Sequence, residues 1–215
     1  MLESVDSAHR KSKINKLILD IVVISLGLFV SSFGIALFYA SNLGSSPMAT
    51  FGDGLHNILS ISYGAANTLA NTTLLILLFF IKKSYINIGT VLCVFSIGPY
   101  VSLSERILKN FGIQNFPMSF KILIVVFGTI MMGIGLGLYV AVERGYGPLE
   151  AIVKILCEEK GVSYAKAKIL QDVLLVGVGV ILQAKLGIGT VIAVILTGPI
   201  LQKSIQFFTP ILKKQ

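Results

Sequence analysis

Asp172 interrupts an apolar run, in the stretch "KILQDVLLVGVGVILQ", Lys168 to Gln183. A carboxylate held among lipid chains costs about 2.5–3.5 kcal/mol even on a lenient insertion scale, so it is retained only with a partner or a function. Asp172 lies nine residues past Ser163, where the run begins. On a helix rising about 1.5 Å per residue that is about 13 Å, near the middle of a hydrocarbon core about 30 Å thick. Asn71 stands 101 residues earlier, in a polar patch of Asn67, Thr68, Asn71, Thr72 and Thr73, while Gln171 and Gln183 extend the polar face around Asp172. Carboxylate, amide and hydroxyl groups at that depth have the chemistry to anchor a small polar solute or relay a cation. They equally suit a structural hydrogen bond between helices, worth about 0.6–2 kcal/mol. Asp53 and His56, one helical turn apart, have the types for a proton-coupled pair or for an exposed interfacial face. Neither a Ser/His pair, a phosphate loop nor a metal-ligand cluster is found, so no enzyme, cofactor or metal site is expected. Cys93 and Cys157 lie apart in hydrophobic contexts and read as packing residues.

The elements that would hold these residues follow from composition. The chain is 54% hydrophobic and 13% charged, with a mean hydropathy of +0.86, too little polar surface to coat a water-soluble globule. Six runs are long enough to span a bilayer: Leu17–Ala40, Tyr63–Ile81, Ile86–Leu103, Phe120–Val142, Ser163–Ala184 and Gly187–Phe207. The first is too long for a signal-peptide core and lacks a small-residue cleavage site, so it is expected to stay. Of the 18 basic residues, 14 fall on one side of the resulting topology; Arg106, Lys109, Lys121 and Lys185 fall on the other. The positive-inside rule then sets both termini in the cytoplasm, and the net charge of +8 is a topology signal rather than a nucleic-acid site.

A phrase recurs in the chain: "IGTVLCVFSIGP" at 88–99 and "IGTVIAVILTGP" at 188–199. Pro47 and Pro148, Gly27 and Gly128, Gly34 and Gly135, and Gly44 and Gly145 also match, at an offset of 101. Such coincidence of Gly and Pro marks a tandem duplication. With three spans per copy the second copy enters the membrane upside down, an inverted-repeat plan common among transporters. The fold expected is therefore an all-α polytopic membrane protein of six transmembrane helices, arranged as two inverted three-helix repeats. Its divisions are a cytoplasmic segment 1–16, a first repeat 17–108, an extracytoplasmic linker 109–118, a second repeat 119–208 and a cytoplasmic tail 209–215.

Each copy also holds a short segment, "LGSSPMATFGDGLHNILS" and "RGYGPLEAIVKILCEEKG". Pro47 and Pro148 suit a first helical turn, and Glu150, Lys154 and Glu158 share a face at i, i+4 spacing. These read as short amphipathic helices, lying at the interface or re-entrant with their positive N-terminal ends toward an anionic solute. Gly89 and Gly189 permit a helix start or a close neighbour, Thr90 and Thr190 can cap, and Pro99 and Pro199 are expected to break their spans halfway. Together with Pro47 and Pro148 these glycines and prolines are the candidate gating positions.

The succession Gly-x-x-Pro, short helix, Ser-x-Gly/Ala-x-Ala, Gly-x-Gly-Thr and a later Gly-Pro resembles the YczE/YyaS/YitT-like family of bacterial integral membrane proteins, from about Leu17 onward. The resemblance implies location in the cytoplasmic membrane more than chemistry. Members carry an Asp two residues after each short-helix Pro; this chain has Glu150 in the second copy and Ala49 in the first. A family acidic residue in the fifth span falls on Asp172. Members stand beside regulators resembling pyridoxal-phosphate-binding proteins, which implies a vitamin-like or amine solute. The function expected is a small-solute transporter with a site between spans two and five, formed by Asp172, Asn71, Asn67, Thr72, Gln171 and Glu150. A substrate-capturing subunit of a vitamin uptake complex, docked on an energising partner or a second copy through Ala36 and Ala40, and a non-transporting scaffold or sensor are the alternatives.

Overall fold

The computed structural model describes residues 2–61 and 63–213, with the side chains of 2–12, 63–65, 67 and 68 outside the description. The described residues form helices α1 (Leu2–Ser41), α2 (Pro47–Leu59), α3 (Tyr63–Lys82), α4 (Ile88–Lys109), α5 (Met118–Ala141), α6 (Pro148–Lys160), α7 (Tyr164–Ile181) and α8 (Ile188–Lys213), with 3₁₀ turns at Lys83–Tyr85 and Ile113–Asn115. No strand occurs among them. Each expected span becomes one helix, and each short segment becomes a 13-residue helix opened by its proline. Among the described residues four helices are long and apolar enough to cross a membrane, at Lys13–Ser41, Ile88–Lys109, Met118–Ala141 and Ile188–Lys213. Of the six expected spans, α3 and α7 fall outside that set; α7 is 18 residues long and carries Lys166, Lys168 and Asp172. Phe80 at 79% exposure, Phe95 at 73% and Ile181 at 79% are apolar side chains left uncovered within the chain, as on a lipid-facing surface.

The centre of the molecule is a crossing of α1 and α5. A methyl group added to Gly27 would lie 2.7 Å from the Gly135 carbonyl oxygen, and one on Gly128 would lie 2.9 Å from that of Gly34. Gly27 thus meets Gly135 while Gly34 meets Gly128, so the two helices run antiparallel with equivalent residues exchanging roles. Between lipid-embedded helices such backbone proximity, more than hydrophobicity, drives association. α4 packs on α1 and α8 on α5, enclosing Ile24, Leu28, Phe38, Val125, Met132, Tyr139 and Leu201.

The repeated phrase makes a second reciprocal contact. Gly89 N–H donates to the Arg144 carbonyl at 2.7 Å and Gly189 N–H to that of Leu43 at 2.8 Å. Thr90 Oγ1 donates to the Tyr146 carbonyl at 2.8 Å and Thr190 Oγ1 to that of Ser45 at 2.9 Å. Each helix start is thereby fastened to the loop that precedes the other copy's short helix. Those loops turn at Gly44, φ +129°, and Gly145, φ +100°, where a side chain is strained. The prolines behave differently from expectation: α4 and α8 continue unbroken through Pro99 and Pro199. Beside Pro199, Gly198 packs against α7, 2.7 Å from the Ala165 carbonyl measured to an added methyl, whereas a methyl added to Gly98 beside Pro99 would meet nothing within 4 Å. Ala36 is fully buried within the chain, in one cluster with Leu108 and Ile113, so its small size already serves an internal contact.

Candidate functional site

Charge is concentrated where the start of α6 meets α7. Pro148 begins α6 without needing an N–H partner, which puts Glu150 in the first turn, 7% exposed. A methyl added to Gly147 would lie 2.5 Å from Glu150 Oε2 and 2.6 Å from Cys93 Sγ, so this glycine leaves room for a carboxyl and a thiol side by side. Along α7, Lys168 Nζ donates to Asp172 Oδ1 at 2.5 Å and to Gln171 Oε1 at 3.3 Å. Gln171 Nε2 donates to the Leu149 carbonyl at 2.8 Å, which ties the charged face of α7 to the first turn of α6. The ion pair is deeply enclosed, with side-chain exposures of 8% for Lys168 and 1% for Asp172.

Some polar capacity in this cluster is unused. Asp172 Oδ2 and Tyr164 Oη are buried without a hydrogen-bond partner. The Tyr139 hydroxyl lies beside Cys93 and Gly147 without completing a hydrogen bond. Burial pushes the Glu150 carboxyl above the ordinary glutamate value; the Lys168 ammonium and its own N–H pull it back, and Asp172 pushes it further up. The group thus contains two carboxylates, one ammonium, a thiol and phenols. It can hold a polar or ionic solute, or a proton.

The far end of α6 is held by a different set of charges. Glu158 accepts from Tyr85 Oη and from Lys82 Nζ at 3.3 Å, and lies 3.8 Å from Lys154. The Tyr85 bond and Lys82 hold its carboxyl below the usual value, while burial pushes the Tyr146 phenol up to about 12. Tyr85 and Tyr146 meet edge-on at 5.2 Å. The expected charged stripe therefore divides: Glu150 turns inward, and Glu158, paired with Lys154 along α6, clasps the helix to the end of α3 and the turn after it. The reason is that the α6 N-terminus is packed under the bundle whereas its last turn reaches the surface.

Of the residues anticipated for the site, Asp172, Gln171 and Glu150 come together. Asn71 is half-buried and Thr72 exposed on α3, and Asn67 lies outside the described residues. Asp53 is half-buried, and His56 Nδ1 lies 2.5 Å from the Ile61 carbonyl, a contact that secures the turn after α2. Pro47 and Pro148 are buried at their helix starts, Gly89 and Gly189 in the reciprocal contacts. Sequence reasoning missed Lys168, which it counted as a topology charge; its i, i+4 spacing to Asp172 was the available signal. Cys93, Tyr139 and the Asp20–Arg144 ion pair, 2.7 Å long, gave no local signal. The cluster is asymmetric between the halves: positions equivalent to Glu150, Gln171, Tyr139 and Cys93 are Ala49, Ala70, Phe38 and Ala193, all buried and uncharged, while those equivalent to Lys168 and Asp172 are Asn67 and Asn71, polar but uncharged.

Comparison with known proteins agrees with a helical membrane protein. The chain is 25% identical over 182 residues to the uncharacterized membrane protein YczE of Bacillus subtilis (strain 168), covering 83% of this chain and 82% of that one. It is 25% identical over 190 residues to the uncharacterized protein YyaS of the same organism, covering 88% and 92%. An uncharacterized protein of Haemophilus influenzae is 21% identical over 194 residues, covering 90% and 85%. No solved structure matches the chain. Residues 18–206 match the model of a family of unknown function, DUF6198, so this buried charge cluster lies in a protein that belongs to that family.

Proposed function

We propose that the chain is a small-solute transporter of the bacterial cytoplasmic membrane, built from two inverted three-span repeats with both termini in the cytoplasm. The antiparallel glycine crossing, the reciprocal helix-start contacts and the one-sided distribution of basic residues support the inverted arrangement. α7 reaches about 27 Å at about 1.5 Å per residue, close to the thickness of a hydrocarbon core. Of its charges, Lys168 and Asp172 are paired inward, while Lys166 is exposed near the start of the helix.

The observation that carries the transport reading is the buried group of Glu150, Lys168, Gln171 and Asp172, with an acceptor oxygen on Asp172 left over. Burying these charges without a ligand is costly, and the equivalent positions of the other half, Ala49, Asn67, Ala70 and Asn71, carry none. In this reading Asp172 and Glu150 receive the ammonium of an amine or amino-acid-like solute, and Lys168 receives its anionic end.

The test is thermal unfolding of purified protein with a panel of vitamins, amines, amino acids and small anions, for wild type and Asp172→Asn. A ligand at 100 times its dissociation constant stabilises by about 2.7 kcal/mol. A saturable shift lost in Asp172→Asn supports the site. If no compound shifts the wild type, the reading fails and the cluster is structural.

A further inference from the structure

We propose that Glu150 is the proton-binding residue of this cluster: it holds an exchangeable proton beside the Lys168–Asp172 pair, so that proton movement can be coupled to the solute site. The inference rests on the proposed transport role and names its coupling ion.

The argument begins with charge. Within the buried group Lys168 supplies one ammonium, while Glu150 and Asp172 supply two carboxyl groups. Lys168 bonds Asp172 directly and spends another donor on Gln171, leaving Glu150 as the carboxyl without a hydrogen-bonded cation. An unpaired carboxylate in such surroundings binds a proton rather than remain charged.

The groups facing Glu150 reinforce this. α4 presents the Cys93 thiol and α5 the Tyr139 phenol, and α7 presents the Tyr164 phenol, Lys168 and Asp172. Lys168 is the single cation in that set, and it is engaged. α3 and the turn after it contribute Lys82 and Tyr85, but both are committed to Glu158 at the opposite end of α6. Burial raises the affinity of the Glu150 carboxyl for its proton, in the direction this placement requires. Glu150 lies in the first turn of α6 and keeps 7% of its surface exposed. The Asp53 and His56 pair is less suited: His56 is occupied at the Ile61 carbonyl.

The experiment is infrared spectroscopy of the full chain in lipid nanodiscs across a pH titration in H₂O and D₂O. It compares unlabelled protein with protein carrying carbon-13 at the glutamate side-chain carboxyls, and both with Glu150→Gln. At neutral pH the wild type is expected to show the carbonyl stretch of a protonated carboxylic acid. That band should shift in D₂O, move on glutamate labelling, fade as pH rises and be missing from Glu150→Gln. Absence of the band at neutral pH overturns the proposal. So does a band that ignores glutamate labelling, which would assign the proton to Asp172, or one that never exchanges with D₂O. Because labelling is read in wild type, poor folding of Glu150→Gln leaves the result decisive. The measurement needs no solute, so its failure is distinct from failure of the ligand panel.

Discussion

Removing Lys168 is the sharpest perturbation of the cluster. Lys168→Met keeps an unbranched stem in the same space and deletes the ammonium, leaving Asp172, 1% exposed in the ion pair, with no cation at its Oδ1. The carboxylate must then be neutralised. Carrying a proton at pH 7 on a group whose ordinary value is about 3.9 costs about 4 kcal/mol at about 1.36 kcal/mol per unit. That agrees with the roughly 3–5 kcal/mol seen when one member of a buried pair is removed. At pH 5 the same reasoning leaves about 1.5 kcal/mol. The order of the pair, Lys before Asp, is the less favourable one for helix stabilisation, which is worth only about 0.2–0.5 kcal/mol in any case. Equilibrium unfolding in mixed micelles at both pH values measures the difference, and Lys168→Met/Asp172→Leu should recover most of the loss by replacing charge with apolar packing. A loss below about 1 kcal/mol at pH 7 would be that of a solvated pair. That result, or a loss that does not shrink on acidification, refutes the reasoning.

Two further outcomes follow from the fold. Gly145→Ala and Gly44→Ala should each destabilise by about 1–3 kcal/mol, because φ is positive at both and the new methyl would press 2.8 Å from Asn87 Cβ or 2.6 Å from Thr190 Oγ1; unfolding midpoints within error of wild type would show that the loops yield. In a background lacking Cys93 and Cys157, a cysteine at Gln114 should react with an impermeant maleimide in intact cells. One at Glu159 should react only after permeabilisation, and equal labelling of the two would sink the six-span topology.

Much of the architecture was legible because it depends on local pattern. Apolar run lengths located all six long helices, and the prolines marked the starts of α2 and α6. The helices run on through Pro99 and Pro199; beside Pro199 the adjoining Gly198 packs against α7, whereas Pro99 is exposed. Thr90 and Thr190 were read as able to cap, and Thr90 does cap its own helix by accepting from the Asn87 N–H. Both also bond the other copy, Thr190 reaching across 145 residues to Ser45, a pairing that no local window contains.

The sequence alone determined the apolar character of the chain, the recurring phrase with its matched Gly and Pro and the anomaly of Asp172, since each is written in composition, repeat spacing or hydropathy. Only the tertiary structure decided what Asp172 is bonded to and what surrounds it. Lys168 became its partner because both are buried on one face of α7, while Leu149 accepts a bond from Gln171, 22 residues away. Cys93 and Tyr139 joined Glu150 because α4 and α5 close over the start of α6. Whether a charge is solvated or enclosed depends on which distant helices cover it, and that is a property of packing.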